Sequence, residues 1–289
     1  MPSGQEGSPV AVVSKLLGLP RSTFYYQPKQ VRESDLEAAI ESIAGQFPTY
    51  GTRRVTHQLR RPPHEIWVNR KRVRRMMAQK GLLRPVKRRK KRTTDSDHPY
   101  PRYANLVKSL EVTHPDHVWV SDITYIRLRQ EFVYLAVILD VFTRAIRGWC
   151  LSRLLDQELT MTALRAALEN HPPEIHHSDQ GIQYAAYAYI DLLKVHGIQI
   201  SIPAWPGQAA AVGKAEENGY AERFMRTIKE EEVDLSEYLD FADAAKQIGY
   251  FIEDVYMTKR IHSSLGYLTP VEFELAYRLA QTQRAEASP

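Results

Sequence analysis

The sequence predicts an α/β fold: a mixed sheet flanked by helices, with an all-helical basic region before it and a helical C-terminal tail after it. Three observations carry this. Between residues 117 and 152, three runs rich in β-branched and aromatic residues follow one another through short connections, as in an antiparallel meander. From residue 156 onward, helical and strand-like segments alternate, which layers helices on the faces of a sheet. Residues 1–110 hold 23 of the 39 Lys and Arg residues but only 8 of the 34 acids, so a polycation precedes an acidic body.

The first ten residues are expected to be disordered, and residues 11–85 to form a helical DNA-binding region. Within 10–27, Val12, Val13, Leu16 and Leu17 make a short apolar helical face, Gly18 breaks it, and Ser22 can cap a second short helix. That is the outline of a helix-turn-helix. A longer helix carries Leu36, Ile40 and Ile43 on one face. In residues 46–61, Val55 and Leu59 are spaced i, i+4 among Arg53, Arg54, Arg60 and Arg61. Residues 68–83 form an amphipathic helix through Val68, Val73, Met76 and Met77, closed by Gly81. The two methionines read as core filler. Arg70, Lys71, Arg72, Arg74, Arg75 and Lys80 crowd its polar side. A basic linker over 86–112 opens with VKRRKKR, which contains Lys87, Arg88 and Arg89. A surplus of 15 positive charges in residues 1–110, against 10 excess acids beyond them, favours a polyanionic partner, because each phosphate contact releases counterions. Arg53, Arg54, Arg70, Arg74, Arg75 and the Lys87–Arg88–Arg89 run are the expected contacts to DNA phosphates.

Residues 113–235 form the α/β domain. Strands are expected over 117–128, 131–144 and 145–152. A helix over 156–170 is stopped by Pro172 and Pro173. A short strand over 174–181 ends in polar residues, a helix over 185–197 is closed by Gly197, and a strand covers 198–202. A further helix runs over 219–232. Residues 236–289 form a helical C-terminal region with segments at 240–256 and 270–282.

The single cysteine, Cys150, excludes an internal disulfide framework and a multi-cysteine zinc site, and fits a reducing compartment. The N-terminus lacks the basic start and apolar run of a signal peptide, and no stretch approaches the roughly 18 apolar residues of a membrane helix. His177, Ser178 and Asp179 are sequence neighbours whose side chains alternate across a strand, so they cannot act as a hydrolytic triad. His176 and His177 lack the cysteines or spaced histidine that would complete a zinc site; His177 is expected to pack or hydrogen-bond beside the acids. His262 reads as structural or DNA-contacting.

Three acids stand where acids are costly. Asp122 lies in an apolar strand between Val120 and Ile123, Asp179 ends a short strand after Ile175, and Glu222 sits on a helix beside Ala221 and Phe224. Such carboxylates need a pair or a ligated cation, and oxygen donors from separate elements suit Mg²⁺. A fourth acid, Asp140 in VILDVF, alternates with apolar residues in a way that leaves open whether it faces solvent.

The words around those acids resemble the three catalytic motifs of bacterial insertion-sequence transposases with a retroviral-integrase-like Asp-Asp-Glu core, of the second-reading-frame (OrfB) type. In WVSDITYI, Trp119, Asp122, Ile123, Thr124 and Tyr125 match; in HHSDQGIQY, His177, Ser178, Asp179, Gly181, Gln183 and Tyr184 match; in NGYAERFMRTIKEEE, Asn218, Glu222, Thr227, Ile228 and Lys229 match. KRIHSSLGYLTPVEFE and PTYGTRRVTHQLRR also fit the family. The resemblance implies a ribonuclease H-like fold and metal-dependent DNA cleavage and strand transfer. Asp122, Asp179 and Glu222 would hold two Mg²⁺ ions, with Mn²⁺ as a substitute. Lys229, two helical turns after Glu222 and on the same face, becomes a DNA contact near the acids, as does Arg226. Partners would be element-end and target DNA, further copies of the chain as a homo-multimer, and a first-frame protein. A bacterial cytoplasmic location, on the nucleoid when DNA-bound, follows.

One departure concerns Glu222. Between it and Asp179 lie 42 residues, about seven more than the family's spacing, in a stretch around 203–209 where a loop would tolerate insertion. Glu216 and Glu217 stand nearer the usual spacing, whereas the helical context GYAERFMRTIK favours Glu222. Two other functions therefore compete with transposition: a catalytically inactive DNA-binding protein from a decayed element, and a ribonuclease H-like nuclease. The basic N-terminal helices and long C-terminal region speak against the nuclease.

Overall fold

A computed structural model describes residues 10–16, 18, 32–84, 105–107, 110–169, 171–179, 181–202 and 219–286. In chain order the elements are α1 (Val10–Leu16), α2 (Glu33–Gln46), α3 (Thr52–Leu59), α4 (Arg70–Gln79), β1 (Val118–Arg127), β2 (Phe132–Asp140), β3 (Ile146–Ser152), α5 (Gln157–Leu168), β4 (Ile175–Ser178), α6 (Ile182–Ala185), α7 (Tyr187–Val195), β5 (Gln199–Ser201), α8 (Gly219–Ile228), α9 (Phe241–Tyr250) and α10 (Pro270–Glu286). The second helix expected after Gly18, the start of the chain and the Lys87–Arg88–Arg89 run lie outside the described residues.

The mixed sheet has the strand order β3-β2-β1-β4-β5. β1 pairs antiparallel with β2, and β2 with β3, as short connections require. β4 pairs parallel with β1, and β5 with β4, as helical crossovers allow. Alternation along β1 divides the core. Val118, Val120 and Ile126 face α8 and α9, meeting Phe224, Ile228 and Ile248. Trp119 faces α5 and α7, meeting Leu159, Leu164 and Tyr189. Each such side chain contributes about 1.5–3 kcal/mol by leaving water. Asp156 caps α5 by accepting from Leu159 N at 3.2 Å.

The approach of β3 to α5 depends on a glycine. A Cβ at Gly148 would stand 2.2 Å from the Ala163 carbonyl oxygen and 2.8 Å from the Ala167 nitrogen. Backbone cannot swing aside as a side chain can, so Gly148→Ala is expected to destabilise the fold by about 1–3 kcal/mol through overpacking. Thermal unfolding checks this, and an unchanged midpoint would show that strand and helix separate freely.

Several expectations need correcting. The segment 131–144 is a strand only to Asp140; residues 141–145 turn back. Asp140, whose facing the alternation leaves open, turns inward and is 0 % exposed. Its Oδ1 accepts from Phe142 N at 2.7 Å and Thr143 N at 3.2 Å, and its Oδ2 from Asp116 N at 2.7 Å and Arg147 Nη2 at 3.0 Å. Burial pushes its pKa upward against those donors. The helix expected over 185–197 is Tyr187–Val195 (α7), and a separate turn, α6, precedes it, the two divided at Ala186, whose ψ of 137° is extended. α9 continues as a π-helical stretch, Phe251–Lys259, and both pack into the sheet's core rather than trailing from it. α10 is largely exposed.

The N-terminal helices have their own core, in which Leu36, Ile40, Ile43, Val55, Leu59, Val73, Met76 and Met77 surround Tyr50. Met76 and Met77 are buried filler, as the helical period requires. Asn69 caps α4 by accepting from Lys71 N at 2.8 Å. The C-terminal segment seals this core: Ile261 joins it, and Ile261 N donates to Tyr50 Oη at 2.9 Å. His57 stacks on Tyr267, and Arg61 pairs with Glu272.

Candidate active site

Asp122 and Asp179 are brought together by strand register. Ser121 pairs with Ser178 at the last rung between the parallel strands β1 and β4. Asp122 and Asp179 are the next residues on each chain, and neighbouring strands lie about 4.8 Å apart. Both continue the positions of Val120 and His177, so they leave the sheet on the α8 side.

Asp122 is half-buried, and its Oδ1 accepts from Ile123 N at 2.8 Å. Asp179 retains exposed surface, with Oδ1 accepting from Gly181 N at 3.0 Å. Surrounding chain atoms crowd this carboxyl and raise its pKa, with the Gly181 N–H opposing. A Cβ at Gly181 would lie 3.1 Å from Asp179 Oδ1 and 3.3 Å from the Tyr184 ring, so glycine keeps that turn close. Tyr184 is buried, and its phenol is raised well above the usual range by burial, then by Tyr189, Asp179 and Asp122. One hydroxyl therefore feels both aspartates.

α8 packs on β1 and β2 through Ala221, Phe224, Met225 and Ile228. Glu222 is exposed on the flank of that stripe. Lys229, seven residues on, places Nζ 4.6 Å from the Tyr125 ring centroid, and Tyr125 lies three residues beyond Asp122 on β1. The flank bearing Glu222 and Lys229 is thus the one turned toward this end of β1. The three carboxylates do not close into one tight cluster. Among the described residues, the group whose ligand atoms all lie within 4.8 Å of one another is His114, His117 and Glu174. That group stands at the opposite end of β1 and β4, and sequence reading missed it although the two histidines are three residues apart. Glu216 and Glu217 lie outside the described residues.

The neighbouring histidines are neutral. Burial lowers His176 to about 3, helped by His177, and lowers His177 to about 4. His176 Nε2 contacts Tyr189 Oη at 3.0 Å, and His177 Nδ1 contacts Ser201 Oγ at 2.9 Å. His177 Nε2, by contrast, is buried with no hydrogen-bond partner among the described residues.

The expected DNA contacts divide by exposure. Arg53, Arg70, Arg74 and Arg75 are exposed, Arg75 lying 3.5 Å from Glu33. Arg54 turns inward toward Glu231, and Arg226 pairs with Glu230 at 3.0 Å. No helix among the described residues is long and apolar enough to cross a membrane.

An integrase core domain family matches residues 112–204, a second integrase core domain family matches residues 208–270, and an HTH-like domain family matches residues 30–91. The HTH-like match covers α2 to α4 rather than the 10–27 segment. The chain is 32% identical over 274 residues to the insertion element IS600 uncharacterized 31 kDa protein of Shigella sonnei, covering 91% of this chain and 97% of that protein. It is 33% identical over 251 residues to the transposase for insertion sequence element IS904 of Lactococcus lactis, covering 85% and 96%. It is 33% identical over 270 residues to the transposase for IS629 of Shigella sonnei, covering 89% and 88%. Among solved structures, the HTLV-2 integrase catalytic core domain in complex with magnesium overlays with 17% identity, 56% of this chain, 97% of that chain and a TM-score of 0.43.

Proposed function

Since the chain belongs to the insertion-sequence transposases built on an integrase core, we propose that it cleaves and joins DNA strands with Asp122, Asp179 and Glu222 as its catalytic acids. The observation that supports this reading is the β1–β4 register: its last rung pairs Ser121 with Ser178, and Asp122 and Asp179 are the next residues on those two adjacent segments.

The donor set fits Mg²⁺ or Mn²⁺: it is all oxygen, drawn from three separate elements, with no sulfur or imidazole. Two such ions would stabilise charge developing on the attacking and leaving oxygens of a phosphodiester. The chain's own groups do the positioning. Gly181 N–H orients Asp179, and the Tyr125 ring holds the Lys229 ammonium where a phosphate can meet it. Water attacks phosphorus at the element end and releases a 3′-hydroxyl; that hydroxyl then attacks a target phosphodiester, one P–O bond forming as another breaks. Ions held by these carboxylates would act without a nucleophilic side chain, so no covalent protein–DNA intermediate is expected.

Arg53, Arg70, Arg74 and Arg75, on helices within the HTH-like match, grip the phosphates of element ends. Joining two ends requires more than one copy of the chain, and a first-frame protein can add end recognition. The 42-residue gap before Glu222 favours a second reading, a protein that binds DNA without cutting it. Strand transfer of labelled element-end DNA with Mg²⁺ or Mn²⁺ separates the two: joined product supports the transposase, and binding with neither cleavage nor joining supports the silent protein. In the same assay Glu222→Ala is expected to fall to background while Glu217→Ala retains activity; the reverse pattern would move the third acid to Glu217.

A further inference from the structure

A cavity of about 330 Å³ lies where α3, the β2–β3 turn, α8 and the segment after Lys259 meet. Four arginines line it from those four elements: Arg54, Arg144, Arg223 and Arg260, with Ser263 and Ser264 at its edge. One carboxylate offsets them. Glu231 takes Arg260 in a two-pronged pair at 2.6 and 2.8 Å and Arg54 at 3.5 Å. Neither Arg144 nor Arg223 forms an ion pair among the described residues.

Arg144 carries two further marks. Its Nη1 is buried with no hydrogen-bond partner among the described residues, although a guanidinium N–H shut away from water ordinarily has one. Its backbone sits at φ 62°, the left-handed region a residue with a long side chain rarely adopts. Such conformations persist where the surroundings enforce them, and they gather at binding sites. The Tyr220 ring lies 3.9 Å beneath the guanidinium carbon and fixes its direction. The potential in the cavity is strongly positive. His262, on its wall, is pushed down to about 2 by burial and then by Arg260, Arg54, Arg144 and Arg223.

We infer that this arginine cavity seats a backbone phosphate of bound DNA, with Arg144 and Arg223 as its principal donors. Guanidinium forks match phosphate oxygens in pairs, and the serine hydroxyls supply further donors. A nucleic acid, rather than a free anion, is favoured by position. Arg54 belongs to α3 of the helices within the HTH-like match, and Arg223 follows Glu222 on α8, so one phosphate here registers the duplex between binding helices and acids. The assignment rests on the transposase reading.

The test uses the full chain carrying Asp122→Asn, so that binding is read without chemistry, and fluorescence anisotropy of element-end and scrambled duplexes over increasing salt. Arg144→Gln and Arg223→Gln are each expected to weaken both duplexes alike and to reduce the slope of log K against log salt by about one, the signature of a lost phosphate contact. Arg165→Gln, on the opposite face of the sheet, leaves the slope unchanged. Arg223 is exposed on α8, so its variant keeps the test valid if Arg144→Gln unfolds. Unchanged slopes in folded variants overturn the proposal. So does stabilisation of the wild type, but not of Arg144→Gln, by inorganic phosphate with slopes unchanged, which assigns the cavity to a free anion. Joining is read in parallel on the chain with Asp122 intact: reduced slopes with no joining there uphold the phosphate seat and sink the transposase reading, and joining there with unchanged slopes does the reverse.

Discussion

Alanine at Asp122 is expected to lower strand transfer by about 10³-fold or more, the order lost when a preorganised electrostatic element is removed from a reaction centre. At 1.36 kcal/mol per decade this is about 4 kcal/mol of transition-state stabilisation. Asp179→Ala should do the same, and the double variant should fall little further, because groups holding one cation pair act as a unit. Binding should behave oppositely. Each substitution removes a negative charge from a surface that must meet phosphates, so affinity for an element-end duplex holds or rises. Chelation of divalent cations should likewise stop joining by the wild type while leaving binding measurable. The decisive comparison is joining and anisotropy on the same preparations. A variant that joins within tenfold of wild type would remove Asp122 from the catalytic set, and one that loses binding and joining together would point to misfolding.

The fold was legible where local chemistry dictates structure. β-branched and aromatic runs at 117–152 became β1 to β3, and the periodic stripes on residues 33–46, 52–59 and 70–79 became helices packed on one core. Asp122 and Asp179 stood out as candidates because their flanking words are dense in matching residues, and the residues before them share the last rung of the parallel register. Glu222 stood out less, since a helix can offer an acid from either flank and the stretch before it is long. The kink at Ala186 left no trace, as alanine suits helix and extended chain alike. Arg54 read as a phosphate contact from its exposed-looking period, yet its partner Glu231 is 177 residues away in sequence. The arginine cavity was invisible for the same reason: four residues from four segments share no spacing.

Asp140 shows what alternation cannot decide, and its removal carries the largest expected effect on stability. Read along VILDVF, it occupies a position where half the residues face out. In the structure that position is the last of β2, where the chain turns, and the carboxylate is turned inward to close the turn. Its second oxygen holds Asp116 N and Arg147, while Arg147 reaches Asp116 at 2.8 Å and Glu274 on α10 at 3.0 Å. One side chain thus joins the β2–β3 turn, the entry to β1 and the C-terminal helix. Asp140→Ala leaves three backbone donors without their charged acceptor at a position where the carboxylate itself is fully buried. The expected cost is about 3–5 kcal/mol, that of breaking a buried charged pair from one side, or on the order of 10 °C in the unfolding midpoint. Asp140→Asn should cost less, because its carbonyl still accepts from Phe142 and Thr143; its amide, however, meets the Asp116 N–H and Arg147, which are donors too. Because Arg144 sits in the same turn, with its own N–H donating to the Asp140 carbonyl at 2.9 Å, the alanine variant should also loosen the arginine cavity. Thermal unfolding of the two variants settles the order. If alanine and asparagine cost the same, the turn contacts contribute nothing, and the stabilisation lies wholly in the pair with Arg147.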